Sequence, residues 1–149
     1  MLPLDVPGLG EVTLVAVHPH PPYRADEWSS DWDQILDGVD EHLTRDPVPP
    51  VIVAGDFNAT LDNLPLRHLA RAGLDDAAEA TNAGWTPTWP SAGHTTILGL
   101  RVPPVLALDH VMTGGGLVAA RLVLDDSVGS DHAAVVATIG PDHTRAALG

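Results

Sequence analysis

The feature that most constrains this chain is an apolar run that stops abruptly, Val51-Ile52-Val53-Ala54 followed by Gly55-Asp56-Phe57-Asn58-Ala59. Pro49-Pro50 precede the run, which is too short for a helix and rich in β-branched residues, so it reads as a short buried strand. Gly55 permits a sharp exit and leaves Asp56 and Asn58 at the strand's carboxyl end. In open α/β sheets that edge is where ligands bind. A carboxylate and a carboxamide two residues apart can share one site: one takes a proton or touches a metal, and the other orients an oxygen. Asp and Asn after a strand are also ordinary turn formers, and the turn alone does not choose between these readings.

Three further segments deliver polar groups at strand ends. Val12–Val17 reads as a strand ending on His18. Leu106–Met112 reads as a buried strand carrying Asp109, and Ser130-Asp131-His132 opens a last strand that runs to Ile139. Core packing alone does not require polar groups at four strand ends.

Between these segments, residues Met1 to Val17 read as a hairpin bending at Gly8 and Gly10. His18-Pro19-His20-Pro21-Pro22 reads as a rigid extended loop. A helix is expected from about Ser30, a plausible N-cap, to Leu43, with Asp31 and Asp33 in its first turn. Trp28, Trp32, Ile35, Leu36, Val39 and Leu43 share one face of it. A short helix is expected over Pro65 to Ala72, stopped by Gly73. Thr81 to Pro104 is a long Gly/Pro-rich loop, of the kind that is functional or disordered in compact domains. Val105–Thr113 and Leu117–Leu124 flank Gly114-Gly115-Gly116 and read as a β-hairpin, and Pro141 to Gly149 as a frayed tail. The Asp75-Asp76 and Asp125-Asp126 pairs read as solvated turn residues, and His20 and His110 as structural or incidental.

Residues 1–149 read as a single domain of class α/β, a mixed β-sheet with flanking helices. Hydrophobic content of 44% and a mean hydropathy of +0.08 fit a soluble globular protein. No apolar run approaches the ~20 residues that span a bilayer, and there is no signal-like start, so the chain carries no transmembrane segment. The absence of Cys excludes disulfides and thiolate catalysis. Seven Arg and no Lys stand against 20 acidic residues, a formal net charge of −13. That balance lacks the positive footprint of a duplex-DNA binder and favours a small-molecule or lipid-headgroup phosphoester as substrate.

Taken together, His18, the Gly55-Asp56-Phe57-Asn58-Ala59 turn, Leu108-Asp109-His110-Val111 and Ser130-Asp131-His132 resemble the endonuclease/exonuclease/phosphatase superfamily. Pro87-Thr88-Trp89-Pro90 is similar to a loop of its bacterial members. The likeness implies the carboxyl half of a four-layered, two-sheet sandwich. Family members begin with a strand carrying an Asn and a helix ending in a Gln-Glu pair whose Glu binds the metal, and neither element has a counterpart here. The expectation is therefore an amino-terminally truncated domain, a natural half-domain, or one piece of a split enzyme.

The activity implied is divalent-metal-dependent phosphodiester hydrolysis with Mg²⁺ (or Mn²⁺). By the resemblance, Asp56 positions or deprotonates the attacking water, and Asn58 holds that water or a phosphoryl oxygen. His132 contacts the phosphate, with Asp109 accepting the imidazole's other N–H. Asp131 binds the metal directly or through water, the metal set being Asp56, Asn58 and Asp131, while His18 touches the phosphate or assists the leaving group. The bland alternatives are Asp131 as a turn residue, Asp109 as a buried acid paired with Arg, and His18 in a solvent-facing loop. Trp85 and Trp89 either line a substrate groove or cover the core. A zinc site built from His18 and His20 lacks a third ligand with suitable spacing. The alternative function is a catalytically impaired half-domain that binds an amino-terminal half or another partner chain.

Overall fold

Val51–Ala54 lies at the centre of a five-stranded sheet, as its apolar composition requires. The computed structural model describes residues 1–91, 96–97, 100–125 and 129–143. Asp126 and the tail beyond residue 143 lie outside the described residues. In chain order the elements are β1 (Leu2–Val6), β2 (Gly10–Val17), α1 (Ala25–Leu43), β3 (Val51–Asp56), α2 (Leu64–Arg71), β4 (Asp75–Asp76), α3 (Ala77–Ala80), β5 (Thr96–Ile97), β6 (Leu100–Arg101), β7 (Asp109–Gly114), β8 (Leu117–Asp125) and β9 (Ala134–Pro141).

The main sheet has the order β1-β2-β3-β7-β4. β1 and β2 form the expected antiparallel hairpin. β2 and β3 run parallel, joined through α1, so their carboxyl ends share one edge. β7 lies antiparallel to β3, and the register sets Asp56 opposite Asp109. Gly55 makes the β2–β3 approach possible. Its φ is +148°, and a Cβ there would collide with the Val17 carbonyl.

The core lies on one face of this sheet. Val15, Val17, Val51, Val53 and Met112 pack against Trp32 and Val39 of α1 and Leu66 and Leu69 of α2. Each such side chain contributes roughly 1.5–3 kcal/mol when fully buried. Trp28, Ile35, Leu36 and Leu43 pack on the margin, so the expected helical face is the buried one.

Several features differ from the sequence reading. α1 begins at Ala25, not Ser30. Arg24 occupies the N-cap position without a side-chain cap, and Asp26 and Glu27 supply the first-turn acids. The apolar stripe already starts at Trp28, and its burial carries the helix past the Ser30 signal. The expected β7–β8 hairpin does not form, because β3 and β4 occupy both edges of β7. β8 leaves the sheet at Gly115 (φ +62°) and pairs with β9 in a separate ribbon. Asp76 is not a solvated turn residue. It is 3% exposed, and its carboxylate caps α3 by accepting the Ala78 and Glu79 N–H groups.

Candidate active site

Because β2 and β3 run in parallel and β7 returns against β3, three strand ends meet at one sheet edge. His18 leaves β2 beside Gly55, Asp56 ends β3, and Asp109 opens β7 as its direct partner. Opposed residues in an antiparallel pair hold their Cβ atoms about 4.5–5.5 Å apart, so the two carboxylates share one face. The segment before β9 brings in the fourth element. His132 Nδ1 donates to Asp109 Oδ2 at 2.7 Å. Its Nε2 lies 3.8 Å from Asp56 Oδ2, and His18 Nε2 approaches the same oxygen at 3.5 Å. His132, Asp56 and Asp109 are mostly buried, whereas the His18 side chain is 75% exposed. Asp109 thus pairs with a histidine and not with an arginine.

Asn58 sits at the apex of the turn with φ +46°, a left-handed conformation that Asn tolerates better than most residues. Its N–H donates to Asp56 Oδ1 at 2.8 Å, leaving Asp56 Oδ2 turned toward the two imidazoles. The Asn58 Nδ2 donates to Pro19 O at 2.9 Å and so ties the His18 loop to the turn. His20 anchors the far side of that loop. Its N–H and Nδ1 both donate to Asp31 Oδ2, at 2.8 and 2.7 Å, and hold the Asp31 carboxyl below its ordinary value.

Asp131 is exposed, and its Oδ2 accepts a long hydrogen bond of 3.4 Å from Trp89 Nε1. It stands beside the site and adds negative charge to His132. Burial is the largest influence on that imidazole and pushes its pKa down. The Asp109 hydrogen bond and the charges of Asp109, Asp56 and Asp131 outweigh it, and the net pKa is raised above the ordinary 6.5. Asp56, Asp109 and His132 each offer a ligand atom within 4.8 Å of the others, and Asp131 lies outside that group. The two carboxylates at this spacing suit a divalent cation that completes its shell with water.

Several residues that position these groups have no role assigned from the sequence, although Thr88 lies in the Pro87-Thr88-Trp89-Pro90 loop of the resemblance. Thr88 is fully buried, and its Oγ1 accepts the N–H groups of Leu108 and Asp109 at 3.1 and 3.2 Å. The Thr88 carbonyl accepts the Ala133 N–H at 2.9 Å. Ser91 donates through Oγ to Ser130 O at 2.6 Å and through N to Asp131 O at 2.7 Å. The loop around Pro87-Thr88-Trp89-Pro90 is therefore a brace between the Asp109 and His132 segments. Trp85, in contrast, is 71% exposed and covers no core. Among the described residues no helix is long and apolar enough to cross a membrane.

Comparison with known proteins accords with this geometry. The profile of the Endonuclease/Exonuclease/phosphatase family matches residues 2–132. No curated protein sequence matches the chain significantly. Among solved structures, an endonuclease/exonuclease/phosphatase from Beutenbergia cavernae DSM 12333 is similar over 93% of this chain and 38% of its own, with 26% identity and a TM-score of 0.68. TDP2 from D. rerio, complexed with a single-strand DNA product, is similar over 87% of this chain and 56% of its own, at 16% identity and TM-score 0.66. The 3′ phosphatase NExo from Neisseria, bound to a product DNA hairpin, covers 93% and 63%, at 14% identity and TM-score 0.66. The chain spans less than two thirds of the length of each.

Proposed function

The chain belongs to the Endonuclease/Exonuclease/phosphatase family, a superfamily of phosphoester hydrolases, and from that premise we propose that it carries the carboxyl-half machinery of a divalent-metal-dependent phosphodiester hydrolase. One observation carries the reading: Asp56, Asp109, His132 and His18, from four separate segments, meet at a single sheet edge. Asp56 Oδ2, the oxygen not occupied by the Asn58 N–H, accepts a proton from the attacking water. Asp109 holds the His132 ring by Nδ1 and presents Nε2 to a phosphoryl oxygen, where a positive charge offsets the negative charge developing during attack. The Asp109 hydrogen bond and the nearby carboxylates favour the charged imidazole. His18, exposed and on the same edge, assists the departing alkoxide. Asn58 orients the water or a phosphoryl oxygen and fixes the His18 loop through Pro19.

Mg²⁺ or Mn²⁺ would be held by Asp56, with Asp109 or Asp131 as a second carboxylate and Asn58 as a further oxygen donor. When bound, such a cation neutralises phosphoryl charge and lowers the pKa of bound water. The net charge of −13 favours a small-molecule or lipid-headgroup phosphoester over duplex DNA. The test is Mg²⁺-dependent hydrolysis of a generic phosphodiester by the native chain, Asp56→Ala and His132→Ala. Both variants are expected to lose at least about a hundredfold, and equal activity in all three refutes the assignment.

A second reading, a catalytically impaired half-domain that binds an amino-terminal half or other partner chain, is favoured by a different observation. Apolar residues stand exposed on β1 and on the β8–β9 ribbon, including Leu2 at 55% and Val136 at 51%. Exposed apolar surface of this kind seeks a partner. Light scattering of the chain with a co-expressed amino-terminal half of a family member distinguishes the readings: a stable heterodimer in which activity first appears supports the second.

A further inference from the structure

His110 follows Asp109 on β7, so its side chain projects to the opposite face of the sheet from the catalytic carboxylate. There it is 4% exposed, and both ring nitrogens face oxygen acceptors. Nδ1 donates to Asp76 Oδ2 at 3.0 Å, and Nε2 lies 3.2 Å from Ala59 O and 3.1 Å from Ala107 O. The ring also meets Phe57 edge-on, with centroids 5.4 Å apart at 84°.

The identity of these partners matters more than their number. Ala59 directly follows Asn58, and Ala107 precedes Asp109 by two residues. The β3–β7 ladder ends at the Asp56–Asp109 pair, and beyond it Phe57 N donates to Leu108 O at 2.8 Å. Ala59 and Ala107 therefore lie past the last paired residues. One imidazole nitrogen spans both carbonyls and joins them. The other nitrogen is anchored to Asp76, whose Oδ1 in turn caps α3 through Ala78 and Glu79. A histidine that only filled the core could satisfy its nitrogens anywhere nearby.

We propose that His110 is a positioning residue. It clamps the Asp56–Asn58 turn to the segment leading into Asp109, and through Asp109 it fixes the orientation of His132. The proposal rests on the reading that Asp56, Asp109 and His132 serve phosphoester hydrolysis. Displacing a catalytic group by about 1 Å costs on the order of a hundredfold in rate, and loss of the clamp acts by such displacement.

The experiment compares the full native chain with His110→Gln, His110→Phe and Val39→Ala, a core truncation in α1 remote from the site. Each is assayed with Mg²⁺ and bis(p-nitrophenyl) phosphate at a temperature where circular dichroism shows it folded. In parallel, NMR follows the low-field Nδ1 proton of His132, the signature of its bond to Asp109. Both His110 variants are expected to lose about tenfold to a hundredfold in kcat with little change in KM, and to lose or broaden the low-field line. Val39→Ala is expected to keep kcat within about twofold and to keep the line, whatever stability it loses. His110 variants that retain the line, or that match Val39→Ala in kcat at equal stability, overturn the proposal. If the native chain does not hydrolyse the diester, the hydrolase reading fails, and the low-field line alone then decides whether His110 holds the Asp109–His132 pair.

Discussion

Replacing Asp109 by Asn probes the electrostatics of the site with little change of shape. In the native chain Asp109 Oδ2 accepts the His132 Nδ1 proton at 2.7 Å, the two side chains being 19% and 24% exposed. A hydrogen bond to a charged group contributes about 1.5–3 kcal/mol and a neutral one about 0.5–1.5 kcal/mol. The amide can still accept the proton, so Asp109→Asn loses roughly the difference, about 1–1.5 kcal/mol, wherever His132 is charged. For a chain of this size that lowers Tm by about 2–6 °C. The pH dependence has a definite sign. The folded His132 pKa is raised: burial pushes it down, and the Asp109 bond and the nearby carboxylates outweigh that. Below the ordinary value of 6.5, folded and unfolded chains are both protonated and the pair contributes in full. As pH climbs from there through the higher folded value, the unfolded chain releases its proton first and stability falls. Thermal melts of metal-free protein from mildly acidic to mildly alkaline pH should show the native chain losing this increment across that window. The gap to Asp109→Asn should be widest at the acid end and narrow toward the alkaline end, and the His132 Cε1 proton should titrate at lower pH in the variant. Equal Tm values at the acid end, or an unchanged His132 titration, would refute the reasoning.

Other substitutions test the framework around the site. Gly55→Ala forces a Cβ into the Val17 carbonyl at φ +148° and should cost more than about 3 kcal/mol, seen as a chain that does not melt cooperatively. Thr88→Val keeps shape but removes the acceptor for the Leu108 and Asp109 N–H groups. It should cost about 1–3 kcal/mol in denaturant titration and lower activity more than the stability loss accounts for. Asn58→Ala loses the Pro19 bond at a left-handed position, costing about 1–2 kcal/mol in the same titration. Asn58→Gly, which accepts that backbone, should cost less.

How much of this was legible in the sequence depends on how local each determinant is. Val51–Ala54 and the polar turn after it are readable because strand, exit glycine and acid are contiguous, and Asp56 does end the central strand. The face of α1 is readable because its period repeats over four turns. Its start is not, because Ser30 has the chemistry of an N-cap while the actual first turn at Ala25 has no side-chain cap. Two strand-like runs around three glycines look the same whether the second folds back or crosses to another sheet. The outcome here depends on β3 and β4 filling both edges of β7, and β3 lies more than fifty residues away in sequence. Asp75-Asp76 shows the same limit at one residue: the pair is locally a turn, but His110 across the sheet makes Asp76 a buried partner.

The positioning layer was hidden for a more general reason. Its acceptors are carbonyl oxygens: Pro19 O for Asn58, Ala59 O and Ala107 O for His110, and Ser130 O and Asp131 O for Ser91. Every residue carries a carbonyl, so such partners leave no mark on composition or spacing. Only the side-chain partners are visible, and Thr, Ser and His in a proline-rich loop or strand also have ordinary structural uses. The side chains of the candidate site are few, charged and placed at strand ends, so they stand out. The groups that hold them in place bond to backbone, and they become recognisable only when the segments that contribute the carbonyls have been brought together. Variants in the second group should therefore alter kcat without touching the charged side chains at the strand ends, which is the behaviour expected of His110 and Thr88.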